Sequence, residues 1–405
     1  MTRALRRASA VASLLALATV AALAGPASAA SPSTAAAAAR AATRATTAAG
    51  RYQVVARGLN NPRGIAFGPD GALYVAEAGA GGAGPCLTGP EGEQVCFGSS
   101  GAVTRVWRGT QHRVQSGLPS LAEAGGIAAS GPADVSFLGT TRYVVVQHAG
   151  GGPEGRAPFG AAGAAFGRLL KVAGGRTSFV ADLPAFEAAN NPDHGAGAEP
   201  GSGIDSDPYA VLAEPGHQIV ADAGGNDLLR VDRDGHVSVL AVFPTRLTLA
   251  PPELGLPPGT RIPFQAVPTS VTRGHDGAYY VGELTGFPFP RGAARVWRVV
   301  PGHRPQVFAR GFTNVIDLAF DGHGRLDVLE ITANGLSGDD LTGALIRVGR
   351  DGRRRTLASD GLVAPTGFVV AADGGFYVSN FGIFPGADPS GQLPGTGQVI
   401  RIPPR

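Results

Sequence analysis

Cysteine is nearly missing from this 405-residue chain: Cys86 and Cys96 are the only two, and both fall in the loop Gly84-Pro-Cys-Leu-Thr-Gly-Pro-Glu-Gly-Glu-Gln-Val-Cys-Phe97. In an exported protein such a pair is expected to close a disulfide staple. The rival is a metal or redox site, disfavoured because two thiols with no histidine beside them make half a ligand set.

An excess of charge is missing too. The formal +3 comes from 34 basic against 31 acidic residues, and Arg3, Arg6 and Arg7 near the N-terminus account for it. Without them the chain is close to neutral. No basic stripe is left to hold nucleic acid or an anionic membrane, so neither is an expected partner. Familiar catalytic signatures are also absent: there is no Gly-x-Ser-x-Gly elbow, no phosphate-binding loop and no His-Glu-x-x-His helix. Nor is there room for long helices, because 62 glycines and 32 prolines are spread through the whole chain. That punctuation predicts many short strands in one large all-β domain.

What is present begins with a transport signal. Arg3, Arg6 and Arg7 form a basic region, residues 8–23 are apolar, and Ala27-Ser28-Ala29 is a small-residue cleavage site. Residues 1–29 are therefore expected to be a signal peptide, directing secretion, with no membrane insertion after cleavage. An uncleaved anchor is the alternative, but the apolar stretch is short for a span. Arg6-Arg7 lacks the rest of a twin-arginine pattern, which favours ordinary secretion. Residues 30–50 are almost all Ala, Thr, Ser and Arg and read as a disordered linker.

From residue 51 to 405 one unit recurs six times. Its innermost strand begins at Gly64-Ile-Ala-Phe, Asp134-Val-Ser-Phe, Ala210-Val-Leu, Ser270-Val-Thr, Asp317-Leu-Ala-Phe and Gly367-Phe-Val-Val. The next follows as Leu73-Tyr-Val-Ala-Glu77, Tyr143-Val-Val-Val-Gln147, Gln218-Ile-Val-Ala-Asp222, Tyr279-Tyr-Val-Gly-Glu283, Leu326-Asp-Val-Leu-Glu330 and Phe376-Tyr-Val-Ser-Asn380. Four strands per unit and six units predict a six-bladed β-propeller. The last unit lacks an outer strand, and Gln53-Val-Val-Ala56 supplies one, so an N-terminal strand is expected to complete the last blade and close the ring. A sandwich or a solenoid is the competing architecture, and a solenoid would need more even repeat lengths.

The long insertions fall on one face: residues 78–100, 148–166, 184–206, 244–263, 284–292, 331–342 and 381–397. Binding usually resides on such a face. Aligning the units puts Glu77, Gln147, Asp222, Glu283, Glu330 and Asn380 at successive strand exits around the channel mouth. A second, partial ring comes from the starts of the innermost strands: Arg63, Asp134, Thr269, Asp317 and Thr366. These oxygens suit a polar ligand. Glu77, Asp222, Glu283, Glu330 and Asn380 could alternatively hold a hard divalent cation such as calcium, the one cofactor the pattern suggests. The plainer reading is that they bond loop amides and order the rim. His148, beside Gln147, is the best-placed histidine for proton transfer, and His194 could join it; with no serine or cysteine motif beside them, both read more readily as ordinary surface loop residues. Asp70, Asp234, Asp276, Asp321, Asp351 and Asp373 each precede glycine in hairpins, where the pair is selected by backbone angles and not by calcium.

The phrases Ala221-Asp-Ala-Gly-Gly-Asn226-Asp-Leu-Leu-Arg-Val231, Tyr279 to Arg298, Phe312-Thr-Asn-Val-Ile-Asp-Leu-Ala-Phe320 and Phe376-Tyr-Val-Ser-Asn-Phe-Gly382 resemble the ScyD/ScyE family. That family is named for products of the gene cluster that makes the pigment scytonemin and is related to NHL-type propellers. The resemblance covers residues 52–405 and implies a secreted propeller; it brings no activity and no catalytic residues. Two functions stay open. One is a monomeric binding scaffold for a polar small molecule, glycan or protein, with Arg63, Asp134, His148, Asn226 and Asp317 joining the rim residues as ligand contacts. The other is a lactonase- or esterase-like hydrolase whose rim-held metal activates water.

Overall fold

The computed structural model of the chain describes residues 52–88, 93–148, 151–195, 203–388, 390–391, 393 and 395–404. The expected signal peptide and linker lie outside the described residues. Six antiparallel sheets, five of four strands and one, in blade 1, of five, form six blades. Their innermost strands are Pro62–Phe67, Pro132–Leu138, Pro208–Glu214, Pro268–Arg273, Val315–Phe320 and Gly367–Val370, which define blades 1 to 6. Each packs beside the next, and blade 6 packs beside blade 1, so the ring is a closed propeller.

The closure is the expected one. Gln53–Leu59 pairs antiparallel with the last strand, Gly397–Ile402, with Val54 opposite Ile400 and Leu59 opposite Gly397. The first strand thus becomes the outer strand of the last blade, so that the first and last strands of the ring are hydrogen-bonded to each other. Blade faces are dry because alternate Val, Leu, Ile and aromatic side chains from neighbouring sheets interlock. Val75, Val144, Val220, Val281, Val328 and Val378, one from the second strand of each blade, are all fully buried.

The hairpin aspartates behave as turn residues. Asp70, Asp276, Asp351 and Asp373 each accept a hydrogen bond from the backbone amide two residues on. Asp70, Asp276 and Asp373 also hold Arg105, Arg298 and Arg401 from the third strand of their blades.

Three stretches expected as loops are more ordered than that. In blade 1 the third strand, Gln94–Trp107, runs on past the sheet and pairs with Cys86–Thr88, placing Cys86 opposite Cys96 in a disulfide. Phe97 on this extension stacks on Phe159, with ring centroids 4.8 Å apart, which gives the insertion its own core. Residues 246–264 form a projecting hairpin, Arg246–Leu249 with Arg261–Phe264. Leu183–Asn190 is a helix: Asp182 caps it by accepting from Ala185 N at 3.3 Å, and Asn191 ends it in the left-handed region at φ 41°. Spacing of four residues puts Leu183 and Glu187 on its buried side.

Candidate functional site

The strand-exit residues lie on the predicted face, and all but Gln147, which reaches to the start of blade 3, bond within their own blade or the loop leading into it. Glu77 is fully buried; it accepts from Asn60 N at 2.7 Å, from Thr104 Oγ1, and from Arg113 through Nε at 3.1 Å and Nη2 at 2.8 Å. Glu330 accepts from Thr313 N at 2.7 Å, and Asn380 Oδ1 from Val363 N at 2.8 Å. All three bonds reach back seventeen residues, to the loop that enters the innermost strand of the same blade. Asp222 does the same over fifteen residues, accepting from Asp207 N at 2.7 Å and also from Ser206 Oγ at 2.6 Å. Glu283 instead pairs with Arg246 of the projecting hairpin and accepts from Trp297 Nε1 at 2.9 Å. Burial pushes Glu283 and Glu330 up to about 7, against the pull of these donors. Gln147 donates to Asp207 Oδ2 at 3.2 Å.

This is rim-ordering geometry. Oxygens that hold arginine, indole and backbone donors do not converge on a common ion. Among the described residues no three His, Cys, Asp or Glu stand where they could hold a metal together. The five expected rim ligands, Glu77, Asp222, Glu283, Glu330 and Asn380, therefore do not fit a cation shared at the channel mouth.

The second ring links blades. Asp134 Oδ2 accepts from Val211 N of blade 3 at 2.9 Å, and Asp317 Oδ2 from Phe368 N of blade 6 at 2.8 Å. Thr269 Oγ1 donates to Val315 O at 2.7 Å and Thr366 Oγ1 to Pro62 O at 2.5 Å. Gly64 makes room for the first of these latches: a Cβ there would stand 2.0 Å from Asp134 Oδ1.

Arg63 differs from its neighbours in that ring. It is fully buried and donates once, from Nη2 to Ala129 O at 2.6 Å. By strict hydrogen-bond geometry its Nε and Nη1 meet no partner and neither does the buried Tyr209 hydroxyl, although that hydroxyl lies close enough to the guanidinium to interact with it. Tyr209 lies within electrostatic reach of Arg63, Asp207, Asp317 and Asp134. Burial dominates their ionisation. It lowers Arg63, pushes Tyr209 up to about 12, Asp134 to about 8, and Asp207 and Asp317 to about 7. Ile383, Phe384, Phe289 and Leu336 from the long loops are buried in the same apolar cluster as Tyr209.

His148 is also buried. Its Nε2 meets the Gly152 carbonyl at 2.7 Å, its amide donates to Asp207 Oδ1 at 3.1 Å, and desolvation pushes the imidazole down to about 4. His194 lies exposed on its loop. Asn226, at φ 51°, ties blades together: Nδ2 donates to Asp193 Oδ2 at 2.9 Å, and Oδ1 accepts from Val267 N at 3.1 Å.

Sequence reasoning missed Tyr209 and Asp207. Tyr209 stands one residue before Ala210, as Arg63 stands before Gly64, so aligning the innermost strands one position further back brings the pair into register. It also missed Glu187, Asp205 and Asp227, which crowd Asp222. Nothing in the linear pattern of Pro184–Ser206 announced a helix that turns Glu187 inward.

No family model matches the chain, and no curated protein matches it. Solved structures do. A protein of unknown function from Bacteroides thetaiotaomicron has a TM-score of 0.50 at 9% identity, over 87% of this chain and 72% of that one. The calcium-binding protein regucalcin from Agrobacterium tumefaciens gives 0.48 at 11%, over 87% and 93%. Virginiamycin B lyase from Staphylococcus aureus gives 0.43 at 11%, over 86% and 98%. At such identities the likeness is one of fold alone.

Proposed function

We propose that the chain is a secreted, ligand-binding propeller of the ScyD/ScyE type, which takes a small polar molecule rich in acceptor oxygens at the Arg63 centre. A single observation carries this reading: a fully buried guanidinium with two of its three nitrogens unbonded. A buried charge is costly unless paired and hydrogen-bonded. Arg63 and the Tyr209 hydroxyl together present donors matched to a carboxylate or a pair of hydroxyls. The residue 1–29 signal supports secretion, and the loop face beyond the centre is where a glycan or protein would dock instead.

No observation favours the hydrolase reading, since the rim carboxylates that would hold its metal are bonded to the protein. The test is calorimetric titration with glucuronate, gluconate and glucose. Saturable binding of an acid, weaker for glucose and lost in Arg63→Met, supports the reading. Equal behaviour of wild type and Arg63→Met toward every probe sinks it.

A further inference from the structure

A groove between blades 4 and 5 opens at the ends of the strands away from the rim. In blade 4 Arg273 pairs with Tyr279 beside the turn at residues 275–277, whereas Pro268 pairs with Glu283 at the rim end. Blade 5 repeats the arrangement, with Phe320 opposite Leu326 at the turn and Val315 opposite Glu330 at the rim. The groove has a volume of about 1160 Å³ and is lined by both turns, by Gly349, Arg350 and Gly352 of the next turn, and by the outer strand of blade 4 at Phe308 and Arg310. That is room for a small molecule.

Its floor is aromatic. Tyr280 meets Phe308 and Phe320 edge to face, with ring centroids 4.9 and 4.8 Å away, and the His275 imidazole meets Phe320 at 6.3 Å. Tyr280 is buried, but Phe308 is 46% exposed. A concave surface that joins open aromatic area to a few polar groups is the usual make-up of a ligand site.

The walls are basic, and the carboxylates near them are engaged. Asp276 accepts from Arg298 Nε at 2.7 Å and from the Tyr280 hydroxyl at 3.2 Å, while Asp321 accepts from Arg325 Nε at 2.6 Å. Arg354 is committed as well: it donates to the Arg310 and Gly311 carbonyls and lies within electrostatic reach of Glu330. Two arginines are left over. Among the described residues the exposed Arg310 side chain has no hydrogen-bond or ion-pair partner, and Arg350 gives a single bond, from Nη2 to His323 O at 2.7 Å. A guanidinium has five donors, so most of those on Arg350 remain. Arg350 and His275 also border one seat. A Cβ at Gly324 would lie 3.6 Å from Arg350 Nη2 and 3.7 Å from His275 Nε2, and the glycine, at φ 74°, keeps that space open.

We propose that this groove is a second ligand site, for a small aromatic carboxylate whose ring lies against Phe308 and whose acid group is bonded by Arg350 over Gly324. Arg310 adds to the positive field without being held by another residue. The unengaged arginines select an anion, and the guanidinium fork matches a carboxylate. The open ring of Phe308 selects a flat apolar body over a sugar acid. No lining residue is shared with the Arg63 centre, so the two sites stand or fall separately.

The experiment is calorimetric titration of the whole protein with naphthoate at low ionic strength, with the uncharged naphthyl alcohol and cyclohexanecarboxylate as controls. The expected result is one saturable naphthoate site per chain, about tenfold or more tighter than either control, and weakened by added salt. Arg350→Gln should weaken naphthoate about tenfold, Phe308→Ala several-fold, and Arg63→Met not at all. Arg350 is exposed on a turn. Its variant gives the reading even where Phe308→Ala does not fold. Absence of saturable naphthoate binding, or wild-type affinity in Arg350→Gln, would overturn the proposal. Loss of binding in Arg63→Met with retention in Arg350→Gln would overturn it too, by placing the acid at the centre of the ring.

Discussion

Asp134 and Asp317 occupy the same register position in blades 2 and 5, opposite one another in the ring, and each bonds a backbone amide of the blade that follows. The same carboxylates are half-buried, and desolvation pushes them from an ordinary 3.8 up to about 8 and about 7. A carboxyl whose folded pKa is raised holds its proton longer in the folded state than in the unfolded chain. Its contribution is complete below the unfolded pKa and is lost as pH rises through the folded value. Between about pH 4 and 8 stability should therefore fall with rising pH, by up to about 1.4 kcal/mol per pH unit for each group. Thermal unfolding across that range should show the decline, and Asp134→Asn with Asp317→Asn should flatten it. A Tm that climbs steadily from pH 5 to 8 in wild type would contradict the assignment.

Glu283 and Arg246 form a nearly enclosed pair, their side chains 1% and 13% exposed. Removing one partner strands the other. Glu283→Leu should cost about 3–5 kcal/mol, and adding Arg246→Met should recover most of the loss. Chemical denaturation of the two single variants and the double variant measures the coupling. A Glu283→Leu protein as stable as wild type would show that the rim carboxylate is not a structural latch.

The Cys86–Cys96 bridge closes a loop with a sequence separation of 10. A loop of that length gives about 2–3 kcal/mol of chain-entropy stabilisation. The paired Cys86→Ala and Cys96→Ala variant should therefore melt several degrees lower, and wild type should match it under reducing conditions. No difference between the oxidised and reduced protein would mean that Phe97, Phe159 and Phe166 hold this extension unaided.

Much of the fold was legible because propeller blades repeat their own grammar. Period-two strands, Asp-Gly hairpins and the displaced outer strand at Gln53-Val-Val-Ala56 each report a local backbone requirement, and six copies check one another. The rim was legible as position and not as chemistry. Glu77, Glu330 and Asn380 align because all three hold the same returning loop, a constraint that places an acceptor at that position just as a ligand ring would. What could not be read were features created by tertiary approach. Gly64 looks like any strand glycine until Asp134 is set against it, and Tyr209 looks like a core residue until Arg63 arrives from blade 1. The helix at Leu183–Asn190 followed Pro and Gly punctuation that favoured a loop, and its buried Glu187 is the reason Asp222 is crowded by acids and not free at the channel mouth.

The central claim is that the Arg63 guanidinium awaits an acceptor from outside the chain. A high-resolution crystal structure with the tightest-binding of the tested acids addresses it most directly. The account predicts a ligand oxygen about 3 Å from Arg63 Nε or Nη1, with the Tyr209 hydroxyl bonded to the same molecule. A ligand seated elsewhere, with both nitrogens bonded to protein oxygens or ordered water alone, would contradict it.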